Sequence, residues 1–146
     1  MSVGHSPFSI SMARKRHLSR IAVMQTLFER DGRPIDTDAS LDRNCGGQNG
    51  EADLEFASTL LAGVLEKEEE IKAMVQTHAP GWTLDRMDPV SRCTLLLGCF
   101  ELLFGNDAPP AVVMNEAIEI AKEFGTPESG KFVNGVLNAI AHGEKK

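Results

Sequence analysis

This 146-residue sequence predicts an all-α fold in a single globular domain. Three observations predict it. Apolar residues recur at three- and four-residue intervals through most of the chain. Alternation of period two is nearly absent. Proline, glycine and short polar residues fall where helices start and stop. The length suffices to bury a core without metal or disulfide staples, and 42% apolar with 25% charged residues is the composition of a folded chain.

The first twelve residues, "MSVGHSPFSISM", have no charged n-region and no continuous apolar core. They read as a flexible leader, which places the domain at residues 13–146. From Ala13 to Asp31 a helix puts Leu18, Ile21, Met24, Gln25 and Phe28 on one face and Lys15, Arg16, Ser19 and Arg20 on an opposite, solvated one. Val23 and Leu27 widen the apolar face further along. The stretch "DGRPIDTDASLDRNCGGQNGEAD" reads as a loop, most flexible from Cys45 to Gly50.

From Asp53 one long helix is expected, reaching Pro80–Gly81. Its Leu54, Ala57, Leu61, Val64, Ile71 and Val75 follow a heptad pattern that Glu68 interrupts. In the connector "WTLDRMDP", Trp82 is expected to plug the core. Asp88-Pro89 gives an N-cap and a proline at the first helical position. The following "VSRCTLLLGCFELLF" is apolar almost all round, as a central helix is. Gly105-Asn106-Asp107 stops it, and Pro110 opens a helix buried through Val113, Ala117, Ile120, Ala121 and Phe124. Gly125 closes that helix. Thr126-Pro127 starts a last one with Phe132, Val136, Leu137 and Ile140 inside.

Cys45, Cys93 and Cys99 are odd in number and lack metal-ligand spacing. Cys93 and Cys99 stand about 240° apart around a helix, so they cannot pair. Reduced, buried thiols and a cytoplasmic location follow. No apolar run reaches the roughly 18 residues that span a bilayer.

Catalysis has no visible apparatus. Glu116, Glu119 and Glu123 share one helix side, but that side opposes the apolar face and reads as solvated. His5, His17, His78 and His142 are scattered, which speaks against a metal site. "CGGQNG" lacks the Lys-Ser/Thr ending of a phosphate loop. The expectation is therefore no enzyme, no cofactor and no metal.

Charge is informative. The chain carries a net −6, yet residues 1–33 hold six basic and two acidic side chains. Such asymmetry is a mark of polyanion binding at the basic end, with the acidic remainder confining contact to a small patch. In a helix starting at Ala13, Arg14, Lys15 and Arg16 oppose the positive end of the macrodipole, at about 0.3–1 kcal/mol per exposed charge. A solvated helix start and an anionic partner both remain open on composition alone. Arg16 and Arg20 lie one turn apart, a spacing that suits neighbouring phosphates. A second candidate is "FGTPESGKFVNGVLN", where a helix start offers free backbone N–H groups beside Lys131 and Phe132.

These stretches resemble the NusB family of transcription antitermination factors. The resemblance rests on "RHLSRIAVMQTLF", "FASTLLAGVLE" and "NEAIEIAKEFGTPESGKFVNGVLNAI". It runs from Ala13 to His142 and is weakest over residues 32–52. It implies two packed helical bundles, a boxA single-stranded RNA element of ribosomal RNA leaders as ligand, and NusE, a small-subunit ribosomal protein, as heterodimer partner. It further implies an antitermination complex of RNA polymerase with other Nus factors, and no catalytic step. The family's RNA contacts fall on Arg14, Lys15, Arg16 and Arg20, and on Lys122, Phe124, Gly125, Glu128, Ser129, Lys131 and Phe132. Its partner-facing positions fall on Phe28, where a tyrosine is common, and on Ser91, where a glutamate can stand. The insertion at residues 45–50 matches no family role.

A helical adaptor or homodimer with no RNA specificity of its own, using an apolar Val23/Leu27/Phe28 surface, is the alternative; the family has monomeric and homodimeric members. NusB-like domains also occur fused to rRNA cytosine methyltransferases, whose Rossmann-type half this sequence lacks.

Overall fold

The computed structural model describes residues 7–105 and 107–144, with backbone only at 7–11, Gln48 and Glu144. Among the described residues there are seven α-helices and no strand: α1 (Pro7–Arg30), α2 (Thr37–Cys45), α3 (Leu54–Glu66), α4 (Glu68–Thr77), α5 (Pro89–Leu103), α6 (Pro110–Phe124) and α7 (Pro127–Glu144). They form two compact units, Met1–Leu60 and Leu61–Lys146.

In the first unit α1 is long and begins six residues before the expected Ala13. Pro7 holds the first helical position, where its missing N–H costs nothing. Residues 1–6 of the expected leader lie outside the described residues; residues 7–12 belong to α1. Leu18, Ile21, Met24, Val23 and Leu27 are buried, so the second half of α1 is enclosed as expected. Gly32, at φ +81°, ends it in the left-handed conformation that suits glycine.

The expected loop over residues 32–52 contains a helix. Asp36 caps α2 by accepting from the Ala39 N–H at 3.1 Å, and Leu41 and Cys45 are buried on its inner side against α1. The Asp/Asn/Gly content that reads as loop is thus capping and turn chemistry around nine helical residues. Nor is the Cys45–Gly50 stretch loose. Buried Asn49 donates from Nδ2 to Gln25 Oε1 and to the Asn44 carbonyl, both at 2.9 Å.

The expected long helix is two. Lys67, at φ −101° and ψ 13°, separates α3 from α4, one residue before Glu68, the polar residue that interrupts the apolar stripe. Hydrogen bonds of helical spacing continue on both sides, Lys67 N–H to Gly63 O at 3.0 Å and Ile71 N–H to Lys67 O at 2.9 Å. Ala57, Leu61, Val64, Ile71 and Val75 are buried as the heptad predicts, whereas Leu54 is exposed.

In the second unit α5 packs against α4, α6 and α7. Its start is as expected: Asp88 Oδ1 accepts from the Ser91 N–H at 2.9 Å behind Pro89. Leu95, Leu96, Leu97 and Cys99 are buried, each leucine contributing about 1.5–3 kcal/mol. Two glycines permit the packing. A Cβ on Gly63 would lie 2.2 Å from the Phe100 ring, and one on Gly98 would lie 3.1 Å from Leu137 Cδ1. All three cysteines are buried and none forms a disulfide. Burial, then the nearby Asp42 and Asp53 charges, push the Cys45 thiol up.

No described helix is long and apolar enough to cross a membrane, and no three described His, Cys, Asp or Glu side chains could hold a metal ion.

Candidate nucleic-acid interface

The basic stretch sits in the third and fourth turns of α1, because the helix starts at Pro7. These cations therefore carry no macrodipole penalty, since that field fades beyond the first turn. Arg14 is exposed, 4.0 Å from the equally exposed Glu51, a separation at which an ion pair in water contributes little. Lys15 and Arg16 are half-buried.

Arg20 departs from expectation. It is buried, with 3% of its surface exposed, and Ser19 beside it is fully buried. The reason is the entry into α3. Asp53 caps that helix, its Oδ1 accepting from the Phe56 N–H at 3.1 Å. The Asp53 N–H donates to Ser19 Oγ at 2.8 Å, so the α3 start is tied to α1 at Ser19. Phe56 then lies under both guanidinium groups, with Arg16 at 4.6 Å and Arg20 at 5.3 Å from the ring centroid. One aromatic ring thus meets two cations, each contact worth about 0.5–2 kcal/mol. Sequence reasoning passed over Phe56, because nothing in its local spacing shows that it meets α1.

The second stretch is the α6–α7 junction. Thr126 and Ser129 form a reciprocal cap: Thr126 Oγ1 accepts from the Ser129 N–H at 3.1 Å, and Ser129 Oγ accepts from the Thr126 N–H at 3.2 Å. Ser129 is buried in this role, its hydroxyl engaged with Thr126. Gly125 is required: a Cβ there would meet Ser129 Oγ at 2.7 Å and Ala121 O at 2.8 Å.

Lys122 lies across Gly130, whose added Cβ would fall 2.4 Å from Lys122 Cγ, and its ammonium stands 3.8 Å from Glu119. Lys131 and Glu128 are both exposed, 3.7 Å apart. Phe124, expected inside, is 37% exposed at the end of α6. It occupies the last helical position, beyond the turn that Ala121 buries. Phe132 is half-buried, and the inward place on α7 goes to Val133.

Trp82, expected in the core, is 51% exposed, its ring centroid 5.5 Å from that of Phe132. Gly81, at φ +91°, turns the chain outward just before it.

The two positions that the resemblance assigns to a partner diverge. Phe28 is 46% exposed near the end of α1 and available to a partner. Ser91 is fully buried, its Oγ donating to Asp88 Oδ2 at 2.7 Å. Its short side chain completes the α5 cap rather than projecting as a glutamate would.

Helices throughout, a cationic α1 flank and a tightly capped α7 entrance define a class: small all-helical proteins whose charge and exposed aromatics lie on helix flanks and ends. The NusB family profile matches residues 17–142, and the chain belongs to the NusB family. It is similar to the transcription antitermination protein NusB of Bacillus licheniformis, at 42% identity over 126 residues, 86% of this chain and 95% of that protein. The NusB of Nocardioides sp. is 39% identical over 130 residues, 89% of this chain and 91% of its own.

Among solved structures, T. maritima NusB superposes with a TM-score of 0.78 at 37% identity, covering 87% of this chain and 90% of that one. A chain from the crystal structure of antitermination factors NusB and NusE in complex with dsRNA superposes with a TM-score of 0.80 at 28% identity. It covers 89% of this chain and 98% of its own.

Proposed function

We propose that this protein is a transcription antitermination factor that binds the boxA element of ribosomal RNA leader transcripts together with NusE. In this reading it works in the cytoplasm, within the complex of RNA polymerase and other Nus factors, and catalyses no reaction. The observation that carries it is family membership over residues 17–142 joined to a cationic α1 flank on a net-acidic chain.

Arg14, Lys15 and Arg16 supply phosphate contacts, which attract any RNA and weaken with salt. Arg20 acts from behind, against the same Phe56 ring as Arg16. At the α7 entrance Lys122 and Lys131 offer charge, Phe124 and Phe132 offer ring surface, and Gly125, Glu128 and Ser129 shape the turn. Such a surface holds few stacking groups, so affinity for RNA alone is modest and NusE completes it. Phe28 is the position through which NusE docks.

The test is a gel shift of the full chain with boxA leader RNA, a scrambled control and a duplex of the same sequence, each with and without NusE. A shift selective for boxA and strengthened by NusE is expected. Retention of NusE with no selectivity for RNA would instead make the chain an adaptor, the reading that exposed Phe28 favours.

A further inference from the structure

The one tryptophan of the chain stands outside the core on a backbone that is held firmly. Gln76 Nε2 donates to the Trp82 carbonyl, while Gln76 Oε1 accepts from the Leu84 N–H at 3.2 Å. Arg92 Nη1 donates to the carbonyls of Leu84 at 2.7 Å and Met87 at 2.8 Å. An exposed indole on a fixed loop is a ready-made flat surface, with little ordering left to do on binding. Phe132 stands against it with its ring tilted by 60°. The two rings open onto a groove of about 470 Å³, with buried Met87 in its lining and Asp88, Glu128 and Lys131 contributing its charged groups.

We propose that this groove takes one unpaired nucleobase of the bound RNA, stacked on Trp82 and flanked by Phe132. The proposal rests on the RNA-binding reading and extends it to a residue outside every contact that the family resemblance implies. Charge decides which part of a nucleotide enters. Asp88 and Glu128 repel a phosphate from the groove, yet their oxygens can accept from the amino groups of a base. Lys131, its side chain 77% exposed, is placed to meet the phosphate outside. The groove is also continuous with Ser129, Lys131 and Phe132, so a strand engaged there has a base within reach of the indole. Stacking of this kind tolerates any base, because every base has a π-face.

Because Trp82 is the sole tryptophan, its emission reports on this groove alone. The full chain is titrated with end-labelled single-stranded boxA RNA, following Trp82 emission and RNA anisotropy together, for wild type, W82A and W82F. NusE retention is measured by pull-down, and thermal unfolding controls for the fold. Expected are quenching with the same midpoint as the anisotropy, a roughly tenfold loss of affinity in W82A at unchanged salt slope, and recovery in W82F to within about threefold.

Binding by wild type with unquenched emission and an unaltered W82A overturns the proposal and leaves the RNA-binding reading standing. Absence of binding by wild type overturns both. Loss of NusE retention in W82A with RNA affinity intact would make the groove a protein pocket and overturn the proposal. The quenching measured on wild type decides the matter even if W82A is less stable.

Discussion

The α1 flank and the α7 entrance differ in what holds them, and so in what each can give to RNA. On α1 two cations meet one aromatic ring, Arg16 and Arg20 against Phe56, with Arg14 and Lys15 nearby. That is a source of attraction, graded by salt and blind to sequence. At α7 the charges are mixed, Lys131 beside Glu128 and Lys122 beside Glu119, while the reciprocal Thr126–Ser129 cap and Gly125 fix the geometry. There, shape and ring surface are on offer instead of net charge. In the proposed function, attraction and base contact thus fall to different helices.

The largest expected effect comes from breaking the α7 side. Phe132→Asp puts a carboxylate beside Trp82 and lowers RNA affinity roughly 100-fold, with the helical circular dichroism signal intact. Collapse of that signal would show that Phe132 serves only packing. Arg16→Ala comes next, with a loss of roughly tenfold at low salt and a slope of log K against log salt flattened by about 0.7, one single-strand phosphate contact. Adding Arg20→Ala also lowers the thermal midpoint, because that side chain is buried. An unchanged slope would remove Arg16 from the contact.

Phe56→Leu sharpens the comparison. It keeps every charge yet removes the ring from beside the two guanidinium groups, and costs about two- to fivefold in affinity by anisotropy. No change would mean that the ring contributes nothing to binding.

The smallest effect is expected where α1 meets α2. Burial raises the Glu29 carboxyl, but hydrogen bonds from Ser40 and Asn44 and the charges of Arg43 and Arg33 outweigh it and hold the group below its ordinary 4.5. A carboxyl so lowered stabilises the fold above that value, and its contribution fades as pH falls through the folded-state value. Glu29→Gln should therefore cost about 1 kcal/mol at neutral pH, less in acid, with RNA affinity untouched. Equal losses at neutral and acid pH, by denaturant unfolding, would contradict this.

Much of this molecule was legible in one dimension. Helix starts at Pro110 and Pro127, the Asp88-Pro89 cap, and the buried stripes of α3, α6 and α7 are local, and local chemistry is what a sequence displays. What escaped was non-local. Asp36, Asn44 and Asn49 look like loop residues until α1 supplies the surface against which α2 folds. Arg20 looks solvated until Phe56 is brought over it. Trp82 looks like core because tryptophan usually is, yet it is exposed where it follows the positive φ of Gly81. The basic stretch and the Thr126–Phe132 stretch were visible as candidates, but which side chains are exposed within them was not.

The most direct test is the salt dependence of boxA RNA affinity for wild type, Arg16→Ala and Phe132→Leu, plotted as log Kd against log salt. The account predicts a shallower line for Arg16→Ala and a parallel, displaced line for Phe132→Leu. Lines that all change slope together, or that all coincide with wild type, would contradict the division between the two helices.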